Sequence, residues 1–260
     1  MNILVLLKMV PDVVEELEIA PGGKALDAGL LRMILSESDD HALEEALLLK
    51  ERHGGRITAV ALDASEMDNS LYAALAKGVD RAVSITGMGE GMTTRAAAHA
   101  FADVISTSPR LMQADLILTG SQAIDDLDGL VAPLVAHQMG IPYVSIVTRV
   151  MMEAGGKAVT VRKEYPVGMR GEFEVPLPAV FGIQSAEKPP RYVPVAKVRA
   201  VMKSQRIENV PAPEVGDALS LVEVLEMGKP VVAGRAEMIE GSLEEIAGKV
   251  SEILVARGVL

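Results

Sequence analysis

The chain opens on five consecutive apolar residues, Ile3 to Leu7, closed by Pro11 and Asp12. A short continuous apolar run bounded by turn residues reads as a strand buried on both faces of a parallel sheet. A loop with Pro21, Gly22 and Gly23 and a turn-rich segment to about Ser38 follow. From Asp39 to His53 apolar residues, among them Ala42, Leu43, Ala46 and Leu47, recur at three and four, which predicts an amphipathic helix; Asp39 and Asp40 suit the dipole at its start, and Gly54 and Gly55 stop it. The alternation continues with strand Ile57 to Leu62, helix Asp68 to Lys77 ended by Gly78, strand Ala82 to Ile85, helix Thr93 to Thr107 and strand Leu116 to Leu118. Alternating strands and helices imply right-handed crossovers, an open doubly wound α/β fold and a ligand at the carboxyl ends of the strands.

Beyond Pro142 the pattern changes. Val144 to Val150, Ala158 to Val161, Phe173 to Val175 and Ala179 to Ile183 read as short strands, with hairpins added to the sheet. Pro189, Pro190 and Pro194 oppose regular helix, and Pro211, Pro213 and Gly216 prolong an irregular stretch. Ser242 and Glu245 stand in capping-box spacing at the start of a last helix, 242–257. This divides the chain into an α/β domain, 1–188, and an extended arm, 189–260.

Composition narrows the function. Net charge is −11 and aromatic residues make up 3% of the chain, which opposes nucleic acid as a partner, since phosphates need a positive field and bases need stacking surfaces. The absence of cysteine removes thiol chemistry and thiolate metal sites. His41, His53, His99 and His137 lie far apart without metal-ligand spacing, and neither a nucleophile elbow nor a triad order is visible, so no catalytic or metal-binding residue is assigned. No signal peptide precedes Ile3 and no run of about 18 apolar residues occurs, which points to the cytoplasm. The 14 methionines read as core filling.

The segment Leu116 to Pro133, LILTGSQAIDDLDGLVAP, carries the most chemistry. A strand ending in a glycine turn before a helix start presents backbone N–H groups and a dipole to a phosphate, and Gly120 and Gly129 permit close approach. Residue types alone favour an ordinary turn in which Asp126 or Asp128 caps the helix. Asp125, Asp126 and Asp128 also admit an acid/base pair or a divalent metal cluster.

Several motifs in order resemble one family. ILVLLKMVPD is similar to the first strand and following turn of the electron transfer flavoprotein beta subunit, and DDHALEEALLLKE to its first long helix. LYAALAKGVDRAVSI, GSQAIDD, EVPLPAVFGI and PPRYVPV resemble its later segments. The chain is identified as a divergent member, with Ser36-Glu37 where most members carry Asn-Pro, Ser121 for the loop lysine, Leu130 for a glutamine and VGMRGEFE for the acidic-glycine hairpin.

The resemblance implies a flavodoxin-like domain with no redox centre of its own, paired with an alpha subunit that holds most of the FAD. It implies one AMP in this chain, or a second FAD in bifurcating members. The residues it assigns to that nucleotide are Leu6, Ser36, Glu37, Ser38, Asp39, Leu62 and the loop Gly120, Ser121, Gln122, Ala123, Ile124, Asp125, Asp126, Leu127, Asp128, Gly129, Leu130 and Val131. It further implies that Pro190, Arg191, Tyr192, Val193, Pro194 and Val195, in a protruding loop over 190–201, dock acyl-CoA dehydrogenases. A membrane quinone oxidoreductase is the implied electron acceptor. The competing classes are a nucleotide-binding regulatory module of universal-stress type and a small α/β enzyme.

Overall fold

A computed structural model describes residues 1–88, 92–214, 223–230, 234 and 236–259. Gly216 lies outside the described residues. The chain forms two compact units, Met1–Leu225 and Glu226–Leu260.

The first unit is built on a nine-stranded sheet. Its elements, in order, are β1 (Asn2–Leu7), β2 (Met9–Pro11), β3 (Met33–Leu35), α1 (Glu37–His53), β4 (Arg56–Leu62), α2 (Met67–Lys77), β5 (Arg81–Thr86), α3 (Thr94–Thr107), β6 (Leu116–Gly120), α4 (Val131–Met139), β7 (Tyr143–Met152), β8 (Ala158–Glu164), β9 (Arg170–Pro176), β10 (Ala179–Ile183), α5 (Val195–Ser204) and β11 (Glu208–Pro211). The strand order is β11-β5-β4-β1-β6-β10-β7-β8-β9. Every pairing from β11 across to β7 is parallel, and β7, β8 and β9 continue as an antiparallel meander.

Alternation along the central strands explains the two faces. Ile3, Val5 and Leu7 join Ile57, Ala59 and Ala61 in one core, against Ala42, Leu43, Ala46 and Leu47 of α1 and Leu71 of α2. Leu4 and Leu6 join Val60 and Leu62 in the other, against Phe101, Val104 and Ile105 of α3 and Val135 of α4. Both faces of the same strands are therefore covered, which is what a continuous apolar run requires. The fold is the open doubly wound α/β sheet expected, with added antiparallel strands.

Four segments differ from the sequence reading. The turn-rich stretch before Ser38 contains the antiparallel ribbon β2–β3, with Met9 paired to Leu35. Helix α1 begins at Glu37, two residues before Asp39. The segment expected as a loop over 190–201 turns helical at Val195, with Pro194 as the N-cap. Proline disrupts a helix interior but not its entry, because the missing N–H is unneeded there. The irregular stretch near Pro211 contains β11, an edge strand parallel to β5, where proline is tolerated. Two methionines expected in the core, Met169 and Met202, are exposed, whereas Met152 packs on the core.

The second unit carries α6 (Leu243–Ala256), opened by the Ser242/Glu245 capping box that the sequence predicts. Among the described residues no helix is long and apolar enough to cross a membrane.

Candidate functional site

The chain steps outward from β1 through β4 to β5 and then returns to β6 on the other side of β1. That reversal leaves a crevice at the carboxyl ends of β1 and β6, the place where open α/β sheets take ligands. Leu6, Lys8, Asp39, Leu62, Gly120, Ser121, Gln122, Ala123, Asp126, Gly129 and Val131 line it, with Ala97 and Phe101 of α3 on the apolar side.

Asp39 organises the crevice. It is 4% exposed on the first turn of α1 and accepts the backbone N–H of Lys8 at 2.8 Å and of Gly120 at 2.6 Å, and the Thr119 hydroxyl at 3.3 Å. One carboxylate thus ties two strand ends to a helix start. Burial pushes its pKa up to about 6 from an ordinary 3.8, although the N–H donors and Lys8 pull the other way. Gly120 makes this approach possible, because a Cβ there would stand 2.2 Å from Ser38 Oγ and 2.7 Å from Asp39 Oδ1. Its close approach is to α1.

A carboxyl whose folded pKa lies above its unfolded one stabilises the fold fully below pH 3.8, and that contribution is lost as the pH rises through about 6. The shift corresponds to ~3 kcal/mol. Asp39→Asn is expected to remove most of this loss, so unfolding by denaturant at pH 4.5 and 7.5 should differ less for the variant than for the parent. Equal differences in the two proteins would refute the buried-carboxylate assignment.

The loop from Ser121 to Leu130 closes over the crevice. Ser38 Oγ donates to the Gln122 carbonyl at 2.6 Å, Leu127 N–H to the Ala123 carbonyl at 3.0 Å, and Gln122 Nε2 to the Leu127 carbonyl. Leu127 sits at φ +51° and Gly129 at φ +61°, so the loop turns through the left-handed region twice. Lys8 Nζ reaches Asp125 and Asp126, each at 2.8 Å. Burial lowers the Lys8 pKa and the two carboxylates more than reverse this, leaving the ammonium above its ordinary range. The other oxygen of Asp126 is buried and has no hydrogen-bond partner among the described residues. With the loop in this position about 20 Å³ remains open, roughly room for one water.

The sequence-derived residues divide accordingly. Leu6, Asp39, Leu62, Gly120, Gln122, Ala123, Asp126, Gly129 and Val131 meet at the crevice. Ser36 is buried as the α1 N-cap, and its N–H donates to the Lys8 carbonyl at 3.0 Å. The Ser121 hydroxyl donates to Gln184 at 2.7 Å. Glu37, Ile124, Leu127, Asp128 and Leu130 are exposed on the outer side. The aspartates are not the helix caps that residue types allow. Asp125 and Asp126 hold Lys8, and Asp128 accepts the Leu130 N–H at 3.0 Å, before the helix begins. Lys8 itself escaped the sequence assignment; its signal was a lone cation directly after an apolar strand.

The second predicted cluster is anchored on α1. Glu44, 3% exposed, accepts the Arg191 backbone N–H at 3.0 Å and its guanidinium at 2.7 Å, while Glu51 takes the same guanidinium at 2.6 Å. Glu45 accepts the N–H groups of Val150 and Glu187, at 3.0 and 3.2 Å. Burial raises the Glu45 pKa. Arg191 therefore faces inward. Tyr192 and Val195, 83% and 59% exposed, face outward beside exposed Pro194, and Pro190 and Val193 are half-buried. Residues 191–206 include Arg191, Lys197, Arg199, Lys203 and Arg206 and no acidic residue.

A crevice at the switch point of a doubly wound sheet places the chain in the class of open α/β proteins whose ligands are taken at the carboxyl ends of the strands. Comparison with known proteins is more specific. The family model described as electron transfer flavoprotein domain matches residues 30–215. The electron transfer flavoprotein subunit beta of Methylophilus methylotrophus is 31% identical, over 98% of both chains. The subunit of the same name from Clostridium acetobutylicum is 31% identical over 96% of both, and that from Bacillus subtilis 29% over 98% of this chain and 97% of its own. The chain belongs to the electron transfer flavoprotein beta-subunit family.

Proposed function

We propose that this chain pairs with a flavin-carrying alpha subunit, completes the site of the FAD held there, and conveys electrons from acyl-CoA dehydrogenases to a membrane quinone-linked acceptor. The observation that carries the reading is similarity to beta subunits over essentially the whole chain. The flavin supplies the electron chemistry; this chain's own residues bind, orient and dock.

We place AMP in the β1/β6 crevice. Lys8 and the N–H groups of Val131 and Ala132 at the start of α4, where Pro133 has none to offer, are donors suited to a phosphate, while Leu6, Leu62 and Phe101 give an apolar wall. The space fits a nucleotide only if the Ser121–Leu130 loop swings out and Lys8 leaves Asp125 and Asp126. A second FAD, being larger, requires a wider opening and is the less favoured occupant.

The part of the chain from 189 onward serves partners. Tyr192, Pro194 and Val195 form the docking point, Arg191 holds it in place, and the lysines and arginines of 191–206, with no acidic residue among them, suit an acidic dehydrogenase surface. A buried anchor of this size contributes about 1 to 3 kcal/mol, so Val195→Ala is expected to slow electron transfer from the dehydrogenase roughly 10- to 100-fold at limiting concentration. Flavin content of the heterodimer should not change. Stopped-flow reduction with each candidate dehydrogenase tests this; unaltered rates with all of them, or loss of the alpha subunit, would show the segment to be structural.

A further inference from the structure

The strands that end at the crevice begin, at their amino side, around a second cavity of about 580 Å³. β1 spans six residues, so the two sites stand roughly 17 to 20 Å apart. Three arginines from separate segments converge on this cavity: Arg56 at the start of β4, Arg81 at the start of β5 and Arg110 in the turn after α3. The rim is tied together by the Arg56 N–H donating to the Met1 carbonyl at 2.9 Å and by the Asn2 side-chain Nδ2 donating to the Gln113 carbonyl at 3.2 Å.

The nearby carboxylates are already engaged. Asp80 binds Lys50 Nζ through both oxygens at 2.7 Å and accepts the Ile57 N–H at 2.8 Å. Glu208 takes the Arg81 guanidinium at 2.8 and 3.1 Å, and Asp115 accepts the Asn2 N–H at 2.7 Å. Arg81 is thereby held in one orientation. Among the described residues, Arg56 and Arg110 make no ion pair. Arg110 is near enough to Glu208 to feel that carboxylate, but on a chain of net charge −11 two guanidiniums without an ion pair and a fixed third in one concavity are still a local concentration of positive charge.

We propose that this basin is a binding site for a small polyanion of the di- or triphosphate type. Guanidinium forks match phosphate oxygens, and the volume lies in the range of small-molecule sites. Among the described residues no aromatic side chain lines the basin, so recognition rests on the charged groups and not on a stacked base. The concave shape favours a small ligand over a flat acidic protein surface. The proposal does not depend on the electron-transfer reading.

Titration calorimetry of the heterodimer with tripolyphosphate at low ionic strength tests it. One saturable site that weakens as salt is added is expected. The double variant Arg56→Gln, Arg110→Gln should bind at least thirtyfold more weakly, and Arg110→Gln alone, in an exposed turn, about fivefold. Flavin content and the thermal midpoint without ligand should stay at parental values, and Lys8→Met should leave binding intact. Absence of saturable binding, parental affinity in the double variant, or loss of binding with Lys8→Met would overturn the proposal. The last result would assign the anion to the carboxyl-end crevice. Preference for an acidic peptide over tripolyphosphate would also overturn it, making the basin a protein-docking patch.

Discussion

Gly120→Val is expected to destabilise the first unit by about 4 kcal/mol, the largest effect of any single substitution at the crevice. A Cβ at this position lies 2.2 Å from Ser38 Oγ, 2.7 Å from Asp39 Oδ1 and 2.8 Å from Ser38 Cβ, so the α1 start and the β6 end must separate. Overpacking of this kind costs about 1 to 3 kcal/mol. Separation also strips the Asp39 acceptor from the Lys8 and Gly120 N–H groups, and each orphaned donor adds about 1 to 3 kcal/mol. Gly129→Val, at φ +61° with Ser121 O 2.8 Å from the added Cβ, strains a surface loop and should cost about half as much. Denaturant unfolding of the two variants ranks them; a Gly120→Val protein as stable as the parent would mean that α1 does not approach β6 this closely.

Arg191→Ala should cost about 3 kcal/mol, a fall of roughly 6 to 12 °C in Tm for a unit of this size. The loss follows less from the missing attraction than from Glu44, which is 3% exposed and would keep a carboxylate with the guanidinium gone. Arg191 is about a third exposed, which places the expected cost at the lower end of the range for broken buried pairs. The same change releases the segment that presents Tyr192 and Val195, so electron transfer from dehydrogenases should fall with stability. Arg191→Lys retains the charge but not the fork, and should fall between parent and alanine. Adding Glu44→Leu to Arg191→Ala should restore most of the stability while transfer stays slow. If Arg191→Ala moves Tm by less than 1 °C, the pair with Glu44 does not hold the segment.

Strands β1 and β4 to β10, and every described helix except α5, are legible because their signals are local. Ile3 to Leu7 reads as a two-faced strand from its own apolar run, and Ser242 with Glu245 announces α6 within four residues. Helix α5 was not legible, because Pro194 resembles a helix breaker until its place at the N-cap is known. β11 was hidden for a related reason: a four-residue edge strand ending in proline carries little pattern, and its partner β5 lies more than 120 residues earlier. At the crevice, Asp39 was picked out as part of the helix start, but its role as the bond between β1 and β6 depends on Gly120, 81 residues away. Lys8 was overlooked because Asp125 and Asp126, which define its environment, are brought to it only by the β1–β6 pairing. Nothing local marks Glu44 and Glu45 as buried; only the Glu187–Arg191 segment folding across α1 makes them so.

The central claim is that this chain is one half of a flavin-carrying heterodimer with its own nucleotide site. The most direct measurement is to co-express it with the alpha subunit, purify the complex, release the bound nucleotides by denaturation and count them by mass spectrometry against protein. A 1:1 heterodimer yielding one FAD and one AMP is expected, with AMP lost and FAD retained in Lys8→Glu. A chain that purifies as a stable monomer with stoichiometric flavin of its own, or a heterodimer that forms without flavin, would contradict it.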